Sequence, residues 1–223
     1  MGVSTERSPG STTKGRGGFE RILDSHAERA ATMSGERRQS PKDVGRLSVD
    51  AYLERYADRS GRRELVEGRV VELAAERVRH TRTKARVWAE LRRAVRAAGV
   101  DCEAFADGIT VRIDEHDACE PDALVNCGKA PDDDALEAPS PVVVVEVVSP
   151  SSVERDSVGK LDAYFRVPSI RHYLVVTTDG RRVVHFERDP SGAPRATIVP
   201  SDAALVLDPP GIEVRVASFF TDD

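Results

Sequence analysis

The chain is predicted to fold as a mixed α/β (α+β) domain, and three observations carry that prediction. Six valines surround one glutamate in the run from Pro141 to Pro150, which reads as a strand buried on both faces. Apolar residues recur at helical spacing across Val78–Ala98, which predicts a long amphipathic helix closed by Gly99. Short apolar segments elsewhere are separated by Glu67-Gly68, Asp107-Gly108 and Asp179-Gly180, pairs that favour tight turns between strands. The length of 223 residues suits one domain with a sizeable core.

The elements follow in order. Residues 1–46 are rich in Ser, Gly, Thr, Arg and Glu and hold little to bury, so a disordered tail is expected, with a short helix around Phe19–Ala31. Met33 offers an alternative start, which would place residues 1–32 outside the translated chain. The folded domain is expected over residues 47–223. Ser48 suits the N-cap of a short helix holding Tyr52, Leu53 and Tyr56, ended by Ser60-Gly61. Arg63–Leu73 then alternates apolar and charged residues around Glu67-Gly68, a hairpin. On the long helix Val87, Leu91, Ala94, Val95 and Ala98 form the inner stripe, extended backwards by Lys84 and His80.

Beyond Gly99, Cys102–Phe105 and Ile109–Ile113 read as strands joined at Asp107-Gly108. Glu120–Val125 reads as a short strand beginning at Pro121. Gly128–Ser140 is a polar insert whose Asp132-Asp133-Asp134 reads as solvated loop. Ser151-Ser152-Val153-Glu154 fits a capping box opening a helix on which Asp156, Lys160 and Tyr164 share a face, and Pro168 ends that helix. His172–Val176 and Val183–Phe186 form a further strand pair. Weaker strands follow at Thr197–Val199, Leu205–Leu207 and Ile212–Val214.

Composition narrows the function. The chain is 39% hydrophobic and 32% charged, with no apolar run near the ~18 residues of a membrane span. A cytoplasmic location without membrane contact is expected. Residues 1–47 carry nine Lys/Arg against six Asp/Glu, a balance of +3 that leaves −8 on the remainder of a chain whose net charge is −5. This argues against a nonspecific polyanion binder and confines any nucleic-acid face to a local patch. Cys102, Cys119 and Cys127 show neither CxxC spacing nor an even count, so they are expected as reduced, small buried hydrophobes. His116 with Cys119 and Cys127 matches no standard zinc pattern.

Glu146 is the residue that the valine strand does not explain. A carboxylate there must be paired, protonated or bound to a metal, because burying it alone costs several kcal/mol. Asp122 opens the preceding strand, and Lys160 follows on the next helix. Two carboxylates from adjacent strands, with a carbonyl and waters, suit Mg²⁺ or Mn²⁺. Such an ion stabilises charge on a phosphoryl oxygen and generates hydroxide from bound water. Lys160 would orient that water or neutralise the developing charge. The arginines of the long helix, Arg82 and Arg86 among them, make a solvated face that could also meet backbone phosphate.

From Leu47 to Arg188 the sequence resembles the Uma-two endonuclease family of the PD-(D/E)XK restriction endonuclease-like superfamily. The resemblance rests on Glu64-Leu65-Val66-Glu67-Gly68, His80, Pro121-Asp122, Glu146-Val147-Val148-Ser149-Pro150-Ser151, Asp156, Lys160, Tyr164 and His172-Tyr173-Leu174-Val175-Val176. It implies a restriction endonuclease-like core, a mixed central sheet flanked by helices. It further implies Asp122 and Glu146 as metal ligands, a third carboxylate from Glu64, and His80 at the same cleft. Two positions depart from the pattern. Val148 stands where the superfamily usually has its lysine, so the ammonium would come from Lys160, and Arg63 replaces the usual aromatic before Glu64. The expected protein is a Mg²⁺- or Mn²⁺-dependent endonuclease acting on phosphodiester bonds, in DNA, and compatible with a homodimer. The alternative is a nuclease-fold binding or regulatory protein without turnover.

Overall fold

A computed structural model of the chain describes residues 45–149, 153–178 and 182–221, with residues 153–158 described in their backbone alone. The expected tail over 1–46, with its helix and Met33, lies outside them except for Gly45 and Arg46. So do the Ser151-Ser152 half of the capping box, the side chain of Asp156 and the turn at Asp179-Gly180.

Ser48 caps the first helix, α1 (Val49–Tyr56), accepting from the Ala51 amide at 3.2 Å. The hairpin β1 (Arg63–Val66) and β2 (Arg69–Glu72) follows in antiparallel register. Its turn puts Glu67 at φ 50° and Gly68 at φ 75°, both left-handed, as a two-residue hairpin with native twist requires. The long helix α2 runs over Val78–Ala98 and ends at Gly99 with φ 64°, where the residue without a Cβ bears no strain. Next come β3 (Cys102–Ala106), β4 (Val111–Arg112), β5 (Ala118–Cys119) and β6 (Ala123–Cys127). The valine strand is β7 (Pro141–Val148), all eight residues of it buried. Helix α3 (Val153–Arg166) leads to β8 (His172–Thr177), β9 (Arg182–Arg188) and β10 (Pro194–Val199). A small hairpin, β11 (Ala204–Leu207) and β12 (Ile212–Arg215), and a 3₁₀ turn at Val216–Phe219 end the described chain.

The central sheet is mixed and six-stranded, in the order β10-β9-β8-β7-β6-β3. Strand β7 pairs antiparallel with β6 and parallel with β8, and the parallel pairing is made possible by the α3 crossover. A central strand covered on both faces has no solvent side, which is why it reads as an unbroken valine run. Val143, Val145 and Val147 face α2 through Val87, Leu91 and Val95, with Leu207, Ile212 and Phe219 closing that layer. Glu146 points to the opposite face, because side chains alternate along a strand. There Tyr164 of α3 meets Tyr173 of β8 with ring centroids 5.2 Å apart, and Leu161 is fully buried. A second sheet, β2-β1-β5-β4, packs Leu65 and Ala118 with Val49 and Tyr52 of α1. No helix among the described residues is long and apolar enough to cross a membrane.

Two expectations are corrected. Asp107-Gly108 does not join a hairpin: β3 pairs with β6 over five residues, whereas β4 pairs with β5 in the other sheet. The longer ladder, Cys102↔Cys127 through Ala106↔Ala123, outweighs a local turn next to a strand of only two residues. The cysteines are not all unpaired either. Cys102 and Cys127 are joined in a disulfide, with Cα atoms 4.0 Å apart, because that register sets them directly opposite. Only Cys119 remains a free buried thiol, and burial pushes its pKa up. Asp132, Asp133 and Asp134 are exposed, as a solvated loop should be.

Candidate active site

Three elements deliver carboxylates to one end of the central sheet. Asp122 sits just before β6, beside Glu146 of β7. Its amide donates to the Val145 carbonyl at 3.0 Å, and its Oδ2 accepts from the Val147 amide at 2.7 Å. Asp122 thereby grips the backbone on both sides of Glu146. Glu64, on β1 of the second sheet, turns away from the Leu65 cluster and accepts from the Glu120 amide at 3.2 Å. All three carboxylates are buried.

Lys160 ties two of them together. Its Nζ donates to Glu64 Oε1 at 2.7 Å and to Glu146 Oε1 at 2.9 Å, while the Tyr164 hydroxyl donates to the same Glu146 oxygen at 2.6 Å. Lys160 and Tyr164 are four apart on α3, one turn of helix, so both reach the same carboxylate. Asp122 has its own cations. Lys84 Nζ lies 2.7 Å from Oδ1, and Arg62 Nη2 donates to that atom at 3.1 Å. Arg62 also holds Glu120 at 3.0 Å and Glu76, and Lys84 also holds Glu76 and, at 3.3 Å, Asp107.

Burial raises the Glu146 carboxyl, to about 7, with the charges of Asp122 and Glu64 adding to the rise and Lys160 opposing it. The Lys160 ammonium is pushed down by burial, but Glu146 and Glu64 outweigh this and hold it well above the ordinary lysine value. The balance at Lys84 runs the same way, with Asp122 as the main charge that overcomes burial. The three cations therefore stay charged and face a larger number of hard oxygen donors: Glu64, Glu76, Asp107, Glu120, Asp122 and Glu146. A cluster with excess negative charge and only oxygen donors fits a divalent ion such as Mg²⁺ or Mn²⁺ in chemistry. Among the described residues, however, no three His, Cys, Asp or Glu side chains are gathered closely enough to form a ready metal cage. Lysines, not a third carboxylate, complete each half of the cluster.

Asp122, Glu146, Glu64 and Lys160 thus come together. His80 lies in the first turn of α2, four residues before Lys84 on the same face, and its Nε2 is buried without a hydrogen-bond partner among the described residues. Arg82 and Arg86 do not share that face. Each falls roughly 160° round the helix from Lys84. Arg82 is exposed, and Arg86 Nη1 donates to the Phe220 carbonyl at 3.3 Å.

Lys84 and Arg62 were not picked out as site residues from sequence. Lys84 did carry a signal, since a lysine on the apolar stripe of a helix needs a buried anion. Arg62 stands just before a strand with no pattern around it and carried none.

A family model described as "Putative restriction endonuclease" (Uma2) matches residues 49–217. No curated protein matches the chain. Among solved structures, the chain is similar to a protein from Anabaena variabilis described as "a putative nuclease belonging to DUF820". The two share 14% identity and a TM-score of 0.60, over 78% of this chain and 97% of that one. Identity so low shows a shared fold alone, the restriction endonuclease-like arrangement of a mixed sheet between helices. The family match spans most of the folded domain, and the chain, with its restriction endonuclease-like fold, belongs to the Uma2 family.

Proposed function

We propose that this protein is a Mg²⁺- or Mn²⁺-dependent endonuclease that hydrolyses phosphodiester bonds in DNA. The observation that carries the proposal is the placement of Lys160 within hydrogen-bond distance of both Glu64 and Glu146, beside Asp122, at one end of the sheet. Asp122, Glu146 and Glu64 would hold the ion, which when bound supplies charge stabilisation at a phosphoryl oxygen and a more acidic water. Lys160 stays protonated, and it orients the attacking water or neutralises charge building on the phosphorus oxygens. Tyr164 fixes the Glu146 carboxylate, and Lys84 with Arg62 holds Asp122 in place. His80 offers a ring nitrogen on the Lys84 face that has no partner among the described residues. Exposed Arg82 would meet backbone phosphate outside the cleft, a role that Arg86 would take by leaving the Phe220 carbonyl. One such site cuts one strand, so a double-strand break takes a homodimer or two encounters.

A second reading is favoured by one observation: every carboxylate of the cluster already has a cation. On that reading the cluster is a structural charge network inside a nuclease-fold protein that binds or regulates without turnover. Plasmid nicking separates the two. The endonuclease predicts nicking that needs Mg²⁺ or Mn²⁺ and disappears in Glu146→Ala and Asp122→Asn. Equal nicking by wild type and Glu146→Ala refutes it. Glu146→Gln with lost stability and no metal-dependent shift in melting temperature supports the structural network instead.

A further inference from the structure

Beside the carboxylate cluster lies a groove of about 320 Å³ lined by Tyr52, Tyr56, Arg59, Arg62, Glu120 and Leu136, among others. Arg62 and Glu120 belong to both places: they line the groove and also contact Asp122 and Glu64. The groove wall is built in an unusual way for a solvated surface. The guanidinium of Arg59 lies 5.2 Å from the Tyr56 ring centroid and that of Arg63 lies 5.3 Å from it, while Tyr52 packs against the same ring at 5.5 Å. Tyr52 is buried and donates to the Arg63 carbonyl, so it is a fixed floor. Arg59 is exposed, and Leu136 is 41% exposed.

We propose that this groove receives an unpaired nucleotide of the DNA strand, its base against the Tyr56–Arg59 surface and its phosphate among the arginines. The inference rests on the nuclease reading of the adjoining cluster and adds the form of its substrate. An aromatic ring with planar guanidinium groups beside it is the surface on which unstacked bases pack, and stacking requires an exposed base face. Bases inside a duplex have both faces covered by their neighbours, so only a single-stranded, frayed or flipped-out nucleotide presents one. The volume is that of a small-ligand site, large enough for one nucleotide and too small for a duplex. Arg62 is committed to Glu76, Glu120 and Asp122, which makes it the link that positions the groove against the cluster. Arg63 pairs with Glu72 at 3.6 Å and bonds the Gly61 carbonyl at 3.0 Å, so exposed Arg59 is the positive charge that the groove offers a phosphate.

The test uses the full chain with Ca²⁺ in place of Mg²⁺ at low salt, and fluorescence anisotropy with a labelled single strand and the matching blunt duplex. The expected result is tighter binding of the single strand. Tyr56→Ala should weaken single-strand binding roughly 5- to 150-fold, the loss of one stacked base, whereas Tyr56→Phe should keep it. Arg59→Ala should reduce the slope of log affinity against log salt by about one. Equal single-strand affinity of Tyr56→Ala and wild type overturns the proposal, as does a wild-type preference for the duplex. Plasmid nicking reads the cluster separately. Loss of nicking with retained Tyr56-dependent binding removes the nuclease reading and leaves the groove standing, and the opposite pattern removes the groove alone.

Discussion

Replacing Lys160 with methionine removes one ammonium and keeps most of the side-chain volume. In the folded protein that ammonium bonds Glu64 Oε1 at 2.7 Å and Glu146 Oε1 at 2.9 Å, and the lysine side chain is 19% exposed. Removing one partner of a buried ion pair leaves an uncompensated charge and costs about 3–5 kcal/mol. Lys160→Met should lose about that much in urea unfolding at pH 8 in EDTA. The loss should depend on pH with a definite sign. The Glu146 carboxyl titrates above its ordinary value in the folded protein, and higher still once Lys160 no longer opposes the rise. Between the unfolded and folded pKa values the native state holds the extra proton, so stability falls as pH rises through that window. The deficit is therefore smallest near pH 5 and grows beyond pH 7. Mg²⁺ at a hundred times its Kd should then return about 2.7 kcal/mol to the variant. Wild type should gain less, because there the ion competes with Lys160 for the same oxygens. A variant as stable as wild type at pH 8 would show that the ion pairs are not formed in solution. Mg²⁺ that stabilises neither protein would refute metal binding by these carboxylates.

Two further outcomes follow from other parts of the fold. The Cys102–Cys127 disulfide spans 25 residues, for which chain entropy assigns about 3.5 kcal/mol, so a reductant should lower the melting temperature and Cys102→Ser should reproduce the loss. Thiol titration in denaturant without reductant should find Cys119 alone, and three thiols there would exclude the bond. His172 Nδ1 and His185 Nε2 lie 2.9 Å apart, and burial followed by the neighbouring His172 lowers His185 to about 4. Between pH 4 and about 6.5 the unfolded chain binds the proton that the native one refuses, so stability is full above that window and lost as pH falls through it. Urea unfolding across the window should show this slope, on the order of 1.4 kcal/mol per pH unit for one proton, reduced in His185→Phe. An unchanged slope would show that His185 is not the group held neutral.

How much of the architecture can be read from sequence depends on where its energy is local. Helix α2 and its Gly99 end, the Ser48 cap and the Glu67-Gly68 turn all lie in the sequence as written, because spacing, capping and left-handed φ are properties of neighbours along the chain. The valine run is equally plain, since burial on both faces admits few other residues. The partner of β3 is not, because a register is decided by which ladder buries more side chain, across about twenty residues. The disulfide fails to show for the same reason: Cys102 and Cys127 are brought opposite by that register alone. At the site, Glu146 announces itself as a charge that its apolar surroundings cannot explain, whereas Asp122 and Lys160 are reached from their order around it and from the family resemblance. Arg62 is not, since an arginine in a charged stretch reads as surface until Glu76, Glu120 and Asp122 are seen around it.

The position of Lys160 also answers the most conspicuous departure from the superfamily pattern, the valine at 148. Side chains two apart on a strand share a face, so a lysine at 148 would stand beside Glu146 and offer it an ammonium from the same strand. Val148 is instead buried at the end of β7 and carries no charge. The crossover helix between β7 and β8 lays Lys160 and Tyr164 over that same face. Lys160 then meets Glu146 from above the sheet, and its reach extends to Glu64 of the second sheet, which a strand lysine would approach from another direction. On the proposed endonuclease reading an ammonium is needed beside the carboxylates, and here the helix supplies it in place of the strand. The move has a structural consequence: the ammonium now bridges two sheets, so the same residue that would act on the scissile phosphate also holds β1 against β7.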